Sequence, residues 1–213
     1  SRLLSWLESH SLLSPAQYGF RHARSVNSQM IDYLYHIQTK VSSGKPCFVL
    51  LADISNAFIK PPIPKMIQSL ENIGIVSPLL DWLIDFISTR TTAVAVGEHV
   101  SESYHISSGG LQGSSVTGVL FLIYLSPVIK ALEAEPGISV FAFCDDIKIC
   151  AESEEALQRG ASLLHSLLRQ RQLDLSLHKT HTLCFGSPNP PNILLDGIPV
   201  ASVDGVCRDL GVF

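Results

Sequence analysis

Asp145 and Asp146 stand side by side between two short apolar runs, residues 140–144 and 147–151. Apolar residues flanking a polar pair predict a β-hairpin with both carboxylates at its tip. Adjacent carboxylates repel, and a divalent cation with oxygen ligands is the usual compensation. A third carboxylate, Asp53, follows another apolar run, residues 47–52. Three carboxylates at strand ends suit a pair of magnesium ions, which clamp the attacking and leaving oxygens of a phosphoryl transfer. An Asp-Asp pair by itself also serves ordinary turns, whose backbone the Asp side chain satisfies, so the pair needs support from other segments.

The elements that must position these groups can be read from periodicity. Residues 28–41 carry Ile31, Leu34, Ile37 and Val41 at helical spacing, which predicts a helix burying that stripe. Residues 47–52 read as a buried strand. Ser77 and Pro78 predict a cap and a first helical position for a helix through Ile87, with Leu79, Leu80, Leu83, Ile84 and Ile87 inward. Residues 91–96 alternate as a strand that turns at Gly97, and residues 115–132 read as a largely buried helix. Ser153 caps a further helix with Glu154 and Glu155 in its first turn and Arg169 and Arg171 near its end, in accord with the helix dipole. Its core stripe is Leu157, Leu164, Leu167 and Leu168. Strands are expected at 182–185, at 193–195 and from Val206 onward, with a surface loop over 186–191.

The order of short motifs resembles the reverse transcriptase of non-LTR (LINE-type) retrotransposons. Gln17-Tyr18-Gly19-Phe20-Arg21 with Arg24-Ser25 is similar to the fingers signature. Asp53-Ile54-Ser55-Asn56-Ala57-Phe58 resembles the first palm motif, and Gly109-Gly110-Leu111-Gln112-Gly113-Ser114 a Gly-x-Pro-Gln-Gly-Ser loop. Phe143-Cys144-Asp145-Asp146 resembles the aromatic-x-Asp-Asp hairpin. His178-Lys179-Thr180 through Phe185-Gly186, and then Asp209-Leu210-Gly211-Val212, are similar to the closing palm segments. The resemblance covers nearly the whole chain, and six motifs fall in order.

That resemblance implies an α+β fold: a polymerase palm, an antiparallel sheet backed by helices, with a more helical fingers subdomain and the thumb absent. Fingers would occupy 1–46 and 62–105, and palm 47–61 and 106–213. It implies a two-metal nucleotidyl transfer by an RNA-directed DNA polymerase. Asp53, Asp145, Asp146 and the Ile54 carbonyl would hold two Mg2+ ions, with Mn2+ as a substitute, and Lys179 would protonate the leaving pyrophosphate. Arg21, Arg24, Ala57, Phe58, Gln112 and Gly113 would form the nucleotide pocket, Phe58 as the gate against a 2′-hydroxyl. The implied partners are an RNA template, a DNA primer and deoxynucleoside triphosphates, in an intracellular protein with no membrane partner. Departures from the pattern are Ile59 for an Asp, Pro61-Pro62-Ile63 for Val-Pro-His, Leu111 for the Pro before Gln112, and Thr117-Gly118 for Gly-Pro.

Composition fits a folded domain, with 46% hydrophobic residues. The longest apolar stretch, residues 119–125, is too short to span a bilayer. The start lacks a Met and a signal-peptide layout, so the chain reads as a piece of something longer. Five cysteines without Cys-x-x-Cys spacing, and eight scattered histidines, predict neither a disulfide framework nor a zinc site. The net charge of −4 is unusual for a nucleic-acid binder. Residues 1–50, however, hold five basic and two acidic side chains, so the acidic excess lies in the remainder with the proposed metal ligands.

Two other readings accompany the polymerase. One is a catalytically silent relic that serves, if at all, as a nucleic-acid- or protein-binding module. The other is a hydrolase, suggested by residues 113–118, but Gly-x-Ser-x-Gly is absent there.

Overall fold

The structure, a computed structural model, describes residues 2–111 and 113–203. Gln112, the strand expected from Val206 and the 209–212 motif lie outside the described residues.

Helix α1 (Arg2–Ser9) leads to α2 (Val26–Ser42) and then the central strand β1 (Cys47–Ser55). Helices α3 (Ile63–Asn72) and α4 (Leu79–Ser88) follow. Four two-residue strands come next: β2 (Thr91–Thr92), β3 (Ala95–Val96), β4 (His99–Val100) and β5 (Tyr104–His105). The long helix α5 (Ser115–Glu133) precedes the hairpin β6 (Ile138–Phe143) and β7 (Asp146–Ala151), and α6 (Glu154–Gln170) packs behind it. The chain continues through β8 (Asp174–Leu175), β9 (His181–Phe185), β10 (Leu194–Leu195), β11 (Ile198–Pro199) and β12 (Ala201–Ser202).

The main sheet runs β12-β9-β1-β7-β6, with β8 also on β1. β1 is antiparallel to β7, β8 and β9, while β12 joins β9 in parallel. β1 is apolar from Cys47 to Ala52 because both faces are covered there. Leu50, Ala52 and Ile54 join the main core with α5 and α6, while Cys47, Val49 and Leu51 join Tyr33 and Ile37 of α2. A strand buried on both faces reads as a continuous apolar run rather than an alternating one. The main core also takes in Leu7, Leu13, Met66, Leu70, Leu83 and Ile87, so it runs unbroken across the expected subdomain boundaries at 46 and 62.

Helix α5 is buried at thirteen of its nineteen positions. By length and composition alone it could cross a membrane, which the shorter apolar run picked out in the sequence does not suggest. Of its most apolar 18 residues, 72% are buried by the rest of the protein, as befits a core helix.

Three expectations are corrected. Helix α2 turns a different face inward: Gln29, Tyr33 and Ile37 are buried, whereas Ile31 and Leu34 are 65% and 53% exposed. Both stripes have helical period. Tyr33 prevails because its ring packs edge-on against Phe141 and beneath the Lys148 ammonium, and Lys148 also donates to Gln29 Oε1 at 3.3 Å. The strand expected over 91–96 divides into β2 and β3, which pair with β5 and β4. Ser101 breaks the ladder: its Oγ accepts from Val94 N–H (3.0 Å), and its own N–H donates to the Val94 carbonyl (2.9 Å). Pro78, expected inside α4, is its cap, so the helix starts one residue later. Helices α1 and α3 add to the elements expected from periodicity, and in α3 Ile63, Met66, Ile67 and Leu70 stand at helical spacing.

Candidate active site

The register between β1 and β7 places Asp53 opposite Asp146. Asp145 occupies the tight turn one residue earlier, and its carbonyl accepts from the Ile54 N–H at 3.4 Å. Sequence positions 92 apart are thus brought to one end of one strand pair. Beyond β1 the backbone curls at Asn56, whose φ of 52° is left-handed; its carbonyl accepts from Ile59 N–H (2.9 Å) and Lys60 N–H (3.0 Å).

A cleft of about 410 Å³ opens here. Its walls are residues 53–59, Asp145, and Ser176, His178 and Lys179 from the turn before β9. The Ser176 N–H donates to the Asp53 carbonyl (2.8 Å), which docks that turn onto β1. Lys179 Nζ stands 3.4 Å from Asp53 Oδ1. Burial pushes the Asp145 carboxyl above its ordinary pKa; the charge on Asp53 pushes the same way, while a backbone hydrogen bond and Lys179 oppose the shift. A half-buried carboxylate beside a second one is electrostatically costly when ionised, and a hard divalent cation relieves that cost. Asp53 and Asp145, with the Ile54 carbonyl close by, therefore suit such an ion. Asp146 does not line the cleft; it faces Asp53 across the strand pair.

Phe58 and Ala57 both border the cleft, Ala57 fully buried and Phe58 partly so. The Phe58 ring lies 4.6 Å from Phe121 and meets Phe20 edge-on at 6.0 Å. Phe20 fits because residue 118 is glycine: a Cβ there would stand 2.8 Å from the Phe20 ring.

Gly109 and Gly110 lean on the 58–61 segment. Gly109 N–H donates to the Pro61 carbonyl (2.8 Å) and Gly110 N–H to the Phe58 carbonyl (2.9 Å). Gly109 has φ +72°, and a Cβ there would lie 2.6–2.7 Å from the backbone of Phe58 and Ile59. Arg90 donates to the Gly109 carbonyl from outside the loop. Gly113 adopts φ +86° with open space around it.

Arg21 and Arg24 do not line the cleft. Arg21 is nearly buried, pairs with Glu8 at 3.1 Å and donates to the Ser14 carbonyl at 2.7 Å. Arg24 stacks on Tyr18 at 4.7 Å and donates to the Pro15 and Gln17 carbonyls. Both guanidiniums brace residues 14–18, a segment that holds the hairpin. Ala142 N–H donates to the Ala16 carbonyl (2.8 Å) and Tyr18 N–H to the Ala142 carbonyl (2.7 Å). Gln17 enters the sequence reading only as part of a motif, yet its side chain grips Cys144. His178 likewise enters the sequence reading only as part of a motif, and Ser176 not at all; its nearness to Lys179 in sequence is the available signal.

A carboxylate pair at the end of a central antiparallel strand, on a sheet backed by helices, is the architecture of a polymerase palm. Residues 1–203 match the family described as "Reverse transcriptase (RNA-dependent DNA polymerase)", and the chain belongs to that family. It is 25% identical over 186 residues to a Pol polyprotein from the retrotransposable element R2 of Popillia japonica, covering 82% of this chain and 26% of the relative. With a probable RNA-directed DNA polymerase from the X-element of Drosophila melanogaster it shares 22% over 209 residues, 93% of this chain and 23% of the relative. The reverse transcriptase is thus of the LINE type, and the chain spans about a quarter of the length of these curated relatives. In fold it is similar to an apo telomerase from Candida tropicalis (TM-score 0.67, 13% identity, 90% of this chain and 40% of that one). A telomerase from Candida albicans, solved with a fragment of telomeric RNA, gives TM-score 0.65 at 14% identity over 94% of this chain and 36% of that one.

Proposed function

We propose that this domain adds deoxynucleotides to the 3′-hydroxyl of a DNA primer on an RNA template, within the Asp53–Asp145 cleft. The observation that carries the reading is the convergence of these two carboxylates with Lys179 at the end of the β1–β7 pair. Asp53, Asp145 and the Ile54 carbonyl would hold two magnesium ions, with manganese as a substitute. Such ions, when bound, lower the pKa of the attacking hydroxyl and offset charge on the triphosphate. Asp146, across from Asp53, supports the pair from the neighbouring strand.

Lys179 is more than half exposed at its side chain, so its ammonium can swing from Asp53 toward a departing pyrophosphate and donate a proton to it. The Phe58 ring, backed by Phe121, forms a wall against which a deoxyribose fits and a 2′-hydroxyl does not. Gln112 and Gly113 are proposed to complete the nucleotide pocket, since Gly109 and Gly110, just before them in sequence, rest on the backbone of that same wall. Arg21 and Arg24 would act by holding the Asp-Asp hairpin rather than by meeting phosphate.

Ile59 favours the second reading, a silent relic that retains the fold. It is 53% exposed in the cleft wall, where an apolar side chain offers nothing to a triphosphate. Primer extension on an RNA template, with the full protein and an Asp53→Asn control, separates the two. Magnesium-dependent extension that the control lacks supports the polymerase. A folded protein that extends nothing with magnesium or manganese overturns it in favour of the relic.

A further inference from the structure

At the other end of the β1–β7 pair, three side chains far apart in sequence meet. His36 comes from α2, Cys47 from the start of β1 and Cys150 from near the end of β7. One ligand atom from each lies within 4.8 Å of the other two. Val49 faces Cys150 in the register, so Cys47 is its diagonal neighbour on the same face of the sheet. Cys47 and Cys150 are both buried residues, whereas His36 is partly exposed. All three border a cavity of about 510 Å³ open to the outside.

We propose that His36, Cys47 and Cys150 bind zinc, at a site separate from the Asp53–Asp145 cleft. Tetrahedral zinc with bonds of roughly 2.0–2.3 Å holds its ligand atoms roughly 3.4–3.8 Å apart. Side-chain rotation of about 1 Å closes the difference, and the strand pairing leaves the backbone in place. One imidazole with two thiolates is a borderline-soft donor set, which selects zinc over magnesium. Two thiolates and Zn2+ sum to a neutral unit, the form in which charge is tolerated among apolar neighbours.

The imidazole is oriented by Phe141, which meets it edge-on at 5.5 Å. Glu152 also borders the cavity, but its carboxylate is held by Lys40 (2.6 Å) and Lys45 (2.8 Å). The fourth position is therefore left to a water from the cavity. Cys184 takes no part, since its thiol donates to the Ser187 and Asn189 carbonyls. The zinc would tie α2 to the two strands that carry Asp53 and Asp146, six residues or about 20 Å away along β1.

The test uses the full protein, purified under reducing conditions, and needs no activity. Zinc content and cobalt titration are measured for the unsubstituted protein and for Cys47→Ala, Cys150→Ala, His36→Gln and Cys184→Ala, each checked for folding by circular dichroism. The expected result is about one zinc lost in Cys47→Ala and Cys150→Ala and kept in Cys184→Ala. Cobalt should give a thiolate charge-transfer band that disappears with either thiol, and His36→Gln should bind at least about 10-fold more weakly. Should an alanine variant fail to fold, maleimide labelling of the unsubstituted protein decides: added zinc should slow modification of Cys47 and Cys150 but not of Cys184. Equal labelling with and without zinc, equal zinc content in folded Cys47→Ala, or a Cys47–Cys150 disulfide in place of metal would each overturn the proposal.

Discussion

Gln17 holds Cys144 by both of its backbone groups. The amide Nε2 donates to the Cys144 carbonyl (3.0 Å), while Oε1 accepts from the Cys144 N–H (2.8 Å) and from the Gly19 N–H (2.8 Å). Cys144 has a left-handed φ of 55° and immediately precedes Asp145. Gly19 presses so close that a Cβ there would lie 2.4 Å from the Cys144 sulfur. The carboxylate-bearing turn is therefore clamped from the N-terminal segment, not by its own hairpin alone.

Removal of that clamp should separate stability from turnover. Gln17→Ala leaves buried donors and an acceptor unsatisfied, at about 1–3 kcal/mol each when water cannot reach them. Primer extension measured well below the melting temperature should fall through kcat, because Asp145 loses its position while the nucleotide pocket stays. An unchanged kcat in a folded variant would show that the hairpin needs no clamp.

Asp145→Asn should cut extension by about 100-fold or more, since metal ligation contributes several kcal/mol to such transfers. Its melting temperature should be equal or higher. The folded-state pKa of Asp145 is raised, so ionisation opposes folding at neutral pH. That penalty is absent below the unfolded value of about 3.9 and complete above the folded one. Melting curves of the variant and the unsubstituted protein should thus converge near pH 4 and separate as pH rises. A constant difference across pH would contradict the shift.

Phe58→Val tests the sugar wall. If the ring bars a 2′-hydroxyl, the ratio of ribonucleotide to deoxyribonucleotide incorporation should rise about 10-fold or more. If the ring serves only the Phe20–Phe58–Phe121 cluster, truncation lowers stability by up to about 3–5 kcal/mol, with the ratio unmoved. Single-nucleotide incorporation assays with both sugars read the ratio directly.

Gly109→Ala should raise KM for the incoming nucleotide and lower stability. A left-handed non-glycine residue costs about 1–3 kcal/mol, and here the added methyl also strikes the Phe58 and Ile59 backbone. Gly113→Ala is the comparison: it bears the same backbone strain but has open space. Equal losses of melting temperature in the two variants would refute a role for the close contact.

Local chemistry made much of this protein legible from sequence. The Asp145-Asp146 pair between apolar runs marked the hairpin, and the unbroken apolar run before Asp53 marked a strand covered on both faces. The Ser153 cap with Glu154 and Glu155 marked α6, and the Ser153 side chain does accept from the Ala156 N–H. Each is a signal contained within a dozen residues. Where two solutions shared the same period, as on α2, sequence could not choose, because the choice depends on Phe141 and Lys148 more than a hundred positions away.

Tertiary structure alone decided what meets what. The pairing of Asp53 with Asp146, the grip of Gln17 on Cys144, the bracing use of Arg21 and Arg24, and the convergence of His36, Cys47 and Cys150 all join residues whose separation in sequence carries no distance. Strand register sets the first of these and brings Cys47 beside Cys150 in the last, and register is specified by burial on both faces of β1 at once. The residues supplied the chemistry; packing of α2, α5 and α6 on one central strand determined which of them could act together.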